Sequence, residues 1–310
     1  MQQLEQISYK HFGCCYRLCN DQIDLLVIGE FGPRIIRFGF IGAENEFAEV
    51  DFSLAIPGHG TWRLHGGHRF WHAPEDMIRT YIPDDEPVRV EEHGGFIRVR
   101  QPIEPRTGIE KELDISLAPD RPSANVVHRL RNHNLWSVEL APWALSAMRD
   151  SGTCILPLPS RGAPDPGELP GISTITLWQY SDMSDGRYCW GSDYIRIRHD
   201  RARDAPQKIG AHVTDGWAAY LRKGNLFLKT FDYVEDAIYP DRGCSVEVFF
   251  NEEFLEVETL GPLTQLAPGA SIEHRESWQL FRDIPPLERD DEISDCVLPI
   301  VEQLRAEEPW

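Results

Sequence analysis

The sequence predicts an all-β protein: a large antiparallel β-sandwich with a short C-terminal helix. The first observation is a period-two alternation of apolar and polar residues, seen in Phe96–Arg100, Ile109–Leu117 and Tyr194–Arg198, which is typical of half-buried strands. The second is turn chemistry, because 24 glycines and 23 prolines cluster between the alternating segments and leave little room for long helices. Many strands without intervening helices favour a sandwich over a doubly wound sheet.

One segment near the C-terminus has helical spacing instead. Between Asp290 and Ala306 the apolar residues recur near helical spacing, and they are Ile293, Val297, Ile300, Val301 and Leu304. No domain linker is evident, and residues 160–170 are interpreted as a long loop between strands. We therefore predict a single β-sandwich domain over residues 1–310, with its core at about 23–283 and a helical tail at about 290–306.

Composition excludes several classes of partner. The formal net charge is −19, with 50 carboxylates against 31 lysines and arginines, which repels phosphate backbones and anionic membranes. No apolar run reaches the ~18–20 residues that a membrane-spanning helix needs. The start of the chain lacks the basic and apolar regions of a secretory signal. We expect a cytoplasmic protein with a neutral small-molecule ligand and neither nucleic acid nor membrane as partner; the oligomeric state is left open.

The spacing of the seven cysteines indicates neither a disulfide framework nor a zinc finger. Only Cys14, Cys15 and Cys19 cluster, and no matching pair with zinc-finger spacing follows them. Metal binding at Cys15 and Cys19 is one alternative, but reduced and buried thiols are the expected state in a cytosolic protein.

The first candidate site is the segment Leu64–His72, in which histidines, an arginine and aromatic residues surround a Gly-Gly turn. Trp71 can stack on a sugar ring, and His65, His68 and Arg69 can bond its hydroxyl groups. The alternatives are a plain tight turn, or a metal site made by the histidines. Because no carboxylate follows at matching spacing, we predict neither a metal nor an organic cofactor.

Three further segments carry polar groups that plain sheet packing does not need. His133 follows Asn132 at a predicted strand end, where a polar hairpin turn is the alternative. Asp232 lies between two aromatic residues. Strand alternation places Glu256 and Glu258 on the same face. In a cleft, repulsion and desolvation would raise the pKa of one of them towards the range of a general base; on a solvated face they would have no such role.

In chain order, these segments resemble the galactose mutarotase (aldose 1-epimerase)-like superfamily. Leu64-His-Gly-Gly resembles that family's Leu-His-Gly-Gly signature, and the strand around Glu258 resembles the one that carries its catalytic glutamate. Residues 31–38 are similar to the family's first hairpin and residues 266–278 to its closing strands, so the likeness spans about 23–283. Residues 66–75, 239–244 and 255–263 resemble more closely an uncharacterised bacterial subfamily, which implies no particular activity.

The resemblance implies a mutarotase-like sandwich that binds a carbohydrate. If it is an aldose 1-epimerase, Glu258 takes the proton from the anomeric hydroxyl, while His133 or else His65 protonates the ring oxygen. Arg69, Asp232 and Trp71 would then orient the sugar, and His68 and Glu256 would add binding contacts.

Departures from the family pattern keep alternatives open. The Asn-Arg pair that precedes the family's histidine segment is missing, and Asn134-Leu135 replaces the aromatic pair after the second histidine. Another alignment places Trp143 at that histidine's position. These departures favour a non-catalytic sugar-binding or sensing protein that retains the cleft without the acid. Cleavage of a glycosidic bond would need a second acid, such as Glu75 or Asp232, across the bond.

Overall fold

The computed structural model describes residues 3–56, 58, 60–160 and 171–307, so most of the predicted loop at 160–170 lies outside the described residues. In chain order the strands are β1 (Gln3–Ser8), β2 (Cys14–Cys19), β3 (Ile23–Ile28), β4 (Arg34–Phe40), β5 (Glu49–Ile56), β6 (Gly60–Gly66), β7 (His68–Ala73), β8 (Arg89–His93), β9 (Phe96–Arg100), β10 (Ile109–Leu117), β11 (Ser123–Asn132), β12 (Val138–Met148), β13 (Thr153–Pro157), β14 (Ile175–Leu177), β15 (Tyr188–Trp190), β16 (Tyr194–Arg198), β17 (Gln207–Ala211), β18 (Trp217–Arg222), β19 (Asn225–Phe231), β20 (Val246–Phe250), β21 (Leu255–Leu260), β22 (Thr264–Leu266) and β23 (Ser271–Phe281).

These strands form two large antiparallel sheets and one hairpin. The site sheet has the order β1-β2-β3-β4-β7-β12-β21-β20-β17-β14, with β22 also paired to β12. The back sheet has the order β15-β16-β13-β18-β19-β23-β11-β10-β9-β8, and β5 pairs only with β6. The predicted antiparallel sandwich is confirmed. The site sheet begins before the expected core boundary at residue 23, because β1 and β2 extend its edge.

The hydrophobic core lies between the two sheets. Phe38 of the site sheet contacts Phe227 and Trp278 of the back sheet, with ring centroids 5.9 and 5.5 Å apart. Phe47, which bridges to Met148 of β12, packs its ring against the same pair. The apolar faces of the two sheets therefore pack against each other in one hydrophobic core.

The C-terminal tail is helical as predicted, but it consists of two helices rather than one. They are α1 (Asp290–Cys296) and α2 (Leu298–Glu307). Pro299 has no backbone N–H to continue the first helix, yet it fits the first turn of the second. Ile293, Val297 and Val301 are fully buried in a cluster with Trp217 of the back sheet, so the tail covers that sheet's outer face.

Two other short helical segments are present. Lys10–Phe12 is a single 3₁₀ turn. Pro240–Gly243 is assigned as helical, but Asp241 and Arg242 have φ angles of 50° and 68°. This segment is therefore a turn. None of the helices in the described residues has the length and apolar character that a membrane span requires.

A polar network crosses the interior between the sheets. His68 Nε2 lies 2.7 Å from His128 Nε2, and His128 Nδ1 donates to the backbone carbonyl of His274 at 3.0 Å. Lys229 Nζ pairs with Glu276 Oε1 at 2.9 Å, and the Trp278 indole donates to Oε2 at 2.7 Å. Buried polar groups are stable when they satisfy one another in this way.

Candidate functional site

A cavity of about 200 Å³ opens on the outer face of the site sheet. Strand alternation builds it, because Arg69 and Trp71 of β7 and Glu256 and Glu258 of β21 all line it. The residues between them face the sandwich interior instead. Further rings complete the wall, and they are Phe52, Trp62, Tyr81, Trp143, Tyr180, Phe249 and Phe254. The cavity is therefore an aromatic hollow with charged groups at its base.

Glu258 is almost entirely buried at the base of this cavity, with 1% of its surface exposed. The Trp143 indole donates to its Oε2 at 2.8 Å, and Lys208 Nζ lies 3.4 Å from the same oxygen. Desolvation raises the pKa of Glu258 to about 7, although the Lys208 ammonium opposes the rise. The carboxyl is thus poised to take up or release a proton near neutral pH.

Lys208 of β17 links three carboxyl groups. Its Nζ lies 2.7 Å from Glu247 Oε2, 3.4 Å from Glu258 and 3.9 Å from Glu75. The rings of Trp143 and Trp178 lie 4.7 and 4.6 Å from the same nitrogen. Burial lowers the pKa of Lys208, but the three carboxyl groups outweigh that effect and hold it well above its usual value. The ammonium therefore remains charged.

Glu247 lies directly across from Glu258 in the pairing of β20 with β21. Two ionised carboxylates in such a position repel each other. Desolvation raises the pKa of Glu247 well above its usual value, and the neighbouring Glu258 raises it further. Two features stabilise these neighbouring carboxyl groups: the positive charge of Lys208, and a proton that is held by Glu247 or Glu258.

Arg69 and Glu256 form a second buried pair in the cavity wall. The guanidinium bonds both carboxylate oxygens, Nη1 to Oε1 and Nη2 to Oε2, the latter at 3.2 Å. The guanidinium carbon lies 4.2 Å from the centre of the Trp71 ring. This bidentate and stacked geometry fixes Arg69 in place.

The wall also presents polar donors that the described residues leave unpaired. Arg69 Nε and the indole nitrogen of Trp62 are buried without a hydrogen-bond partner. Leaving a buried donor unsatisfied costs about 1–3 kcal/mol. Both nitrogen atoms have almost no accessible surface, so the wall encloses them and they do not face the open cavity.

The predicted histidines do not line this cavity, so the structure does not bring His65 or His133 together with Glu258. Alternation on β6 puts Leu64 in the cavity wall and His65 on the opposite face, where it stacks on Phe31 at 4.2 Å. Desolvation lowers the pKa of His65 to about 4, which leaves it neutral at neutral pH. His133 lies at the end of β11 and contacts Glu110 at 2.9 Å.

Two predicted binding residues, His68 and Asp232, also lie outside the cavity. His68 points into the interior network, because it alternates with Arg69 along β7. Asp232, just beyond β19 of the back sheet, is half-buried, and desolvation raises its pKa; it does not line the cavity. Arg69, Trp71, Glu256 and Glu258 are the predicted site residues that the structure brings together.

Sequence reasoning missed several residues of the wall. Lys208 lies in the strand Gln207–Ala211, all of which is buried, and a lysine in a short apolar strand was the available signal. From the sequence, Trp143 was identified only as an alternative residue at the position of the second histidine. No local pattern identified Trp62 or Tyr81 as cavity residues.

By fold, the chain is a two-sheet antiparallel β-sandwich similar to solved structures of candidate aldose 1-epimerases, in agreement with the fold that its sequence resemblance implies. A candidate aldose 1-epimerase from Klebsiella pneumoniae matches with a TM-score of 0.56 and 12% identity, over 98% of this chain and 87% of that one. One from Escherichia coli K12 matches with a TM-score of 0.50 and 13% identity, over 86% and 99%.

A third structure, a TPR-domain-containing protein from Parabacteroides distasonis, matches with a TM-score of 0.60 and 13% identity over 89% of this chain. This chain spans about half of that protein, 48% of its length. No protein-family model and no curated protein sequence matches the chain. The similarity to known proteins is thus one of fold.

Proposed function

We propose that this protein binds a carbohydrate of about one sugar ring in the aromatic cavity beside Glu258. A volume of about 200 Å³ is below the ~300–1,000 Å³ of sites for drug-sized ligands, so it suits a monosaccharide. The rings of Phe52 and Tyr180, which are 48% and 45% exposed, offer apolar faces to the sugar. Asn251 and the partly exposed Glu75 also line the cavity and can bond sugar hydroxyl groups.

We further infer that the bound sugar undergoes aldose 1-epimerase chemistry, and the observation that carries this is the buried Glu258 carboxyl with its pKa near 7. A general base works best when its pKa is close to the operating pH. Both contacts described for this carboxylate use Oε2, so we assign Oε1 to the anomeric hydroxyl. The fold that the chain shares with candidate aldose 1-epimerases supports the same chemistry.

In this reaction Glu258 acts as the base and solvent water as the acid. Glu258 takes the proton of the anomeric hydroxyl, and a water molecule gives one to the ring oxygen as the bond from that oxygen to the anomeric carbon breaks; the hydroxide that remains takes the proton back from Glu258. The open aldehyde form rotates about its first carbon–carbon bond, and the reverse transfers close the ring on its other face. The Lys208 ammonium, 3.4 Å from Glu258 Oε2, keeps its proton and stabilises the ionised form of this carboxyl.

Anomer exchange measured by NMR or polarimetry on several aldoses tests this reaction. We expect wild-type protein to accelerate exchange and Glu258→Gln to slow it by about 10²–10⁴-fold, the usual contribution of one general base. His133→Ala is the matched control, since its imidazole contacts Glu110 and not the cavity, and it should leave the rate unchanged. No acceleration of any aldose, or an unaffected Glu258→Gln, would refute the reaction.

A second candidate function is sugar binding or sensing without catalysis. It is favoured by one observation, that neither predicted catalytic histidine lines the cavity. It predicts a sugar-dependent rise in melting temperature, which for a site at 100 times its Kd corresponds to about 2.7 kcal/mol, with no change in anomer exchange. A broad panel of sugars that produced no thermal shift would contradict both candidates.

A further inference from the structure

Trp143 of β12 contacts both charged groups at the base of the cavity. Its indole N–H donates to Glu258 Oε2 at 2.8 Å, and the centre of its ring lies 4.7 Å from Lys208 Nζ. The side chain is buried, with 1% of its surface exposed, and the Trp71 ring packs against it with centroids 5.3 Å apart. One immobilised side chain therefore holds the base and the neighbouring cation.

The two oxygen atoms of the Glu258 carboxylate have different surroundings. Oε2 accepts the indole hydrogen bond and also lies 3.4 Å from Lys208 Nζ. Within the part of the chain that the structure describes, Oε1 has neither a hydrogen bond nor an ion pair with a side chain. An indole N–H can donate but not accept, so a proton on Oε2 would face two donors and break a hydrogen bond. A proton that Glu258 accepts therefore goes to Oε1.

We propose, resting on the function proposed above, that Trp143 is a positioning residue of the reaction. Its N–H holds Oε2, so that the proton of the anomeric hydroxyl is transferred to Oε1, and its ring keeps the Lys208 ammonium beside the same carboxyl. A hydrogen-bond donor also favours the ionised form of a carboxyl, which keeps Glu258 available as a base at neutral pH. Trp143 thus acts through Glu258.

Other charged and titratable groups act on the Glu258 carboxyl as well. They are Arg69, Glu75, Tyr180, Lys208, Lys229, Glu247 and Glu256. All of them remain in the Trp143 and Trp217 variants used below, so a change in the titration of Glu258 in the Trp143 variant reports the loss of the indole.

The indole signal of the wild-type protein gives the first test and needs no Trp143 variant. The Trp143 N–H resonance, assigned by through-bond experiments, is followed by ¹⁵N–¹H NMR from about pH 5.5 to about pH 8.5, a range that brackets the pKa of Glu258. We expect it to shift with a midpoint at about pH 7 and to stop titrating in Glu258→Gln. A Trp143 signal that does not move over this range would overturn the proposal.

The second test is Trp143→Phe, which keeps a ring beside Lys208 but removes the donor. Losing a donor to the ionised form raises a pKa, so the midpoint of Glu258, followed by ¹³C NMR of labelled glutamate carboxyl groups, should rise by about 1–2 units. The pH of half-maximal anomer exchange should rise equally, which lowers the rate at pH 7 by about 5–50-fold.

Trp217→Phe is the matched control. This indole is also buried, but it lies in the cluster on the outer face of the back sheet and does not line the cavity. We expect the Glu258 midpoint and the exchange rate to stay at their wild-type values. Melting temperatures of both variants establish that they are folded.

The possible failures are distinguishable. If wild type accelerates exchange but Trp143→Phe keeps the wild-type midpoint and pH profile, the positioning role is overturned and the proposed function stands. A Trp143→Phe rate reduced by the same factor at every pH would also overturn it, because that is the effect of a merely structural role. If wild type accelerates exchange of no aldose, the proposed function fails, and the positioning role with it.

Discussion

Removing the amine of Lys229 tests the interior network that supports the site sheet from behind. Lys229 and Glu276 are both fully buried, and Nζ lies 2.9 Å from Oε1. Lys229→Met keeps a side chain of similar length but leaves the Glu276 carboxylate without its cation. Breaking a buried ion pair from one side costs about 3–5 kcal/mol, because an uncompensated charge remains in the core.

This loss of folding free energy can be converted into a decrease in melting temperature. With about 2.1 cal/mol/K per residue, the 310 residues unfold with an entropy of about 0.65 kcal/mol/K, so the loss corresponds to about 5–8 °C. Circular dichroism and differential scanning calorimetry at neutral pH would measure it. Lys223→Met is the matched control, because this lysine is exposed and pairs with the exposed Glu44, and it should cost less than about 1 kcal/mol.

The pH dependence gives the sign of the effect. Desolvation raises the pKa of Glu276, but the Lys229 ammonium outweighs it and holds that pKa well below its usual range. The ionised pair thus stabilises the wild type above the unfolded pKa of about 4.3, and this contribution falls away as pH drops towards the lower folded pKa. In the variant the pKa of Glu276 rises, so the deficit should be largest at neutral pH and smaller near pH 4.

The double variant Lys229→Met/Glu276→Gln makes the reasoning refutable. It removes the buried charge as well as its partner, so we expect it to recover most of the stability lost in the single variant. A Lys229→Met protein as stable as wild type, or a double variant no better than the single one, would show that the pair does not act as described.

Three further predictions concern the site and its frame. Glu258→Gln should stabilise the protein by about 1–3 kcal/mol above pH 7, and by less as pH falls towards 4.5. The reason is that the raised pKa of Glu258 in the folded protein makes its ionisation destabilise the fold. Urea titrations across this pH range would measure the difference in the free energy of unfolding. Gly67→Ala should cost more than about 2 kcal/mol, since φ is +68° and the added Cβ would lie 2.3 Å from the carbonyl oxygen of Ile35, whereas Gly94→Ala, with open space around it, should be nearly neutral in the same thermal assay. Tyr180→Ala removes an exposed ring of the cavity wall, so sugar affinity measured by calorimetry should fall while the melting temperature holds; an unchanged affinity would exclude that ring from the site.

The strand alternation predicted part of the site correctly. Glu256 and Glu258 were expected on one face of their strand, and both line the cavity. The same rule separates His68 from Arg69 on β7 and His65 from Leu64 on β6. Grouping these histidines with the site followed their closeness in sequence and the resemblance to a family signature, and the alternation of the strand overrides both.

The remaining part of the site depends on pairing between distant strands. Lys208 comes into contact with Glu258 because β20 pairs with β17 on one side and β21 on the other. Trp143 reaches Glu258 because β12 pairs with β21. Neither register follows from local sequence, since a shift of one residue in either strand would turn the side chain to the opposite face. The predictions of a single domain and of a cytoplasmic location stay predictions.

By itself, the sequence determined the antiparallel β class, the helical tail and the shared face of Glu256 and Glu258, because these depend on periodicities that each segment carries on its own. Only the tertiary structure decided that Lys208, Trp143 and Glu247 surround Glu258 and that the histidines lie elsewhere. The pKa of about 7 at Glu258 is also decided by the tertiary structure. It arises from desolvation and from charges on neighbouring strands, and neither exists until the sheet has formed.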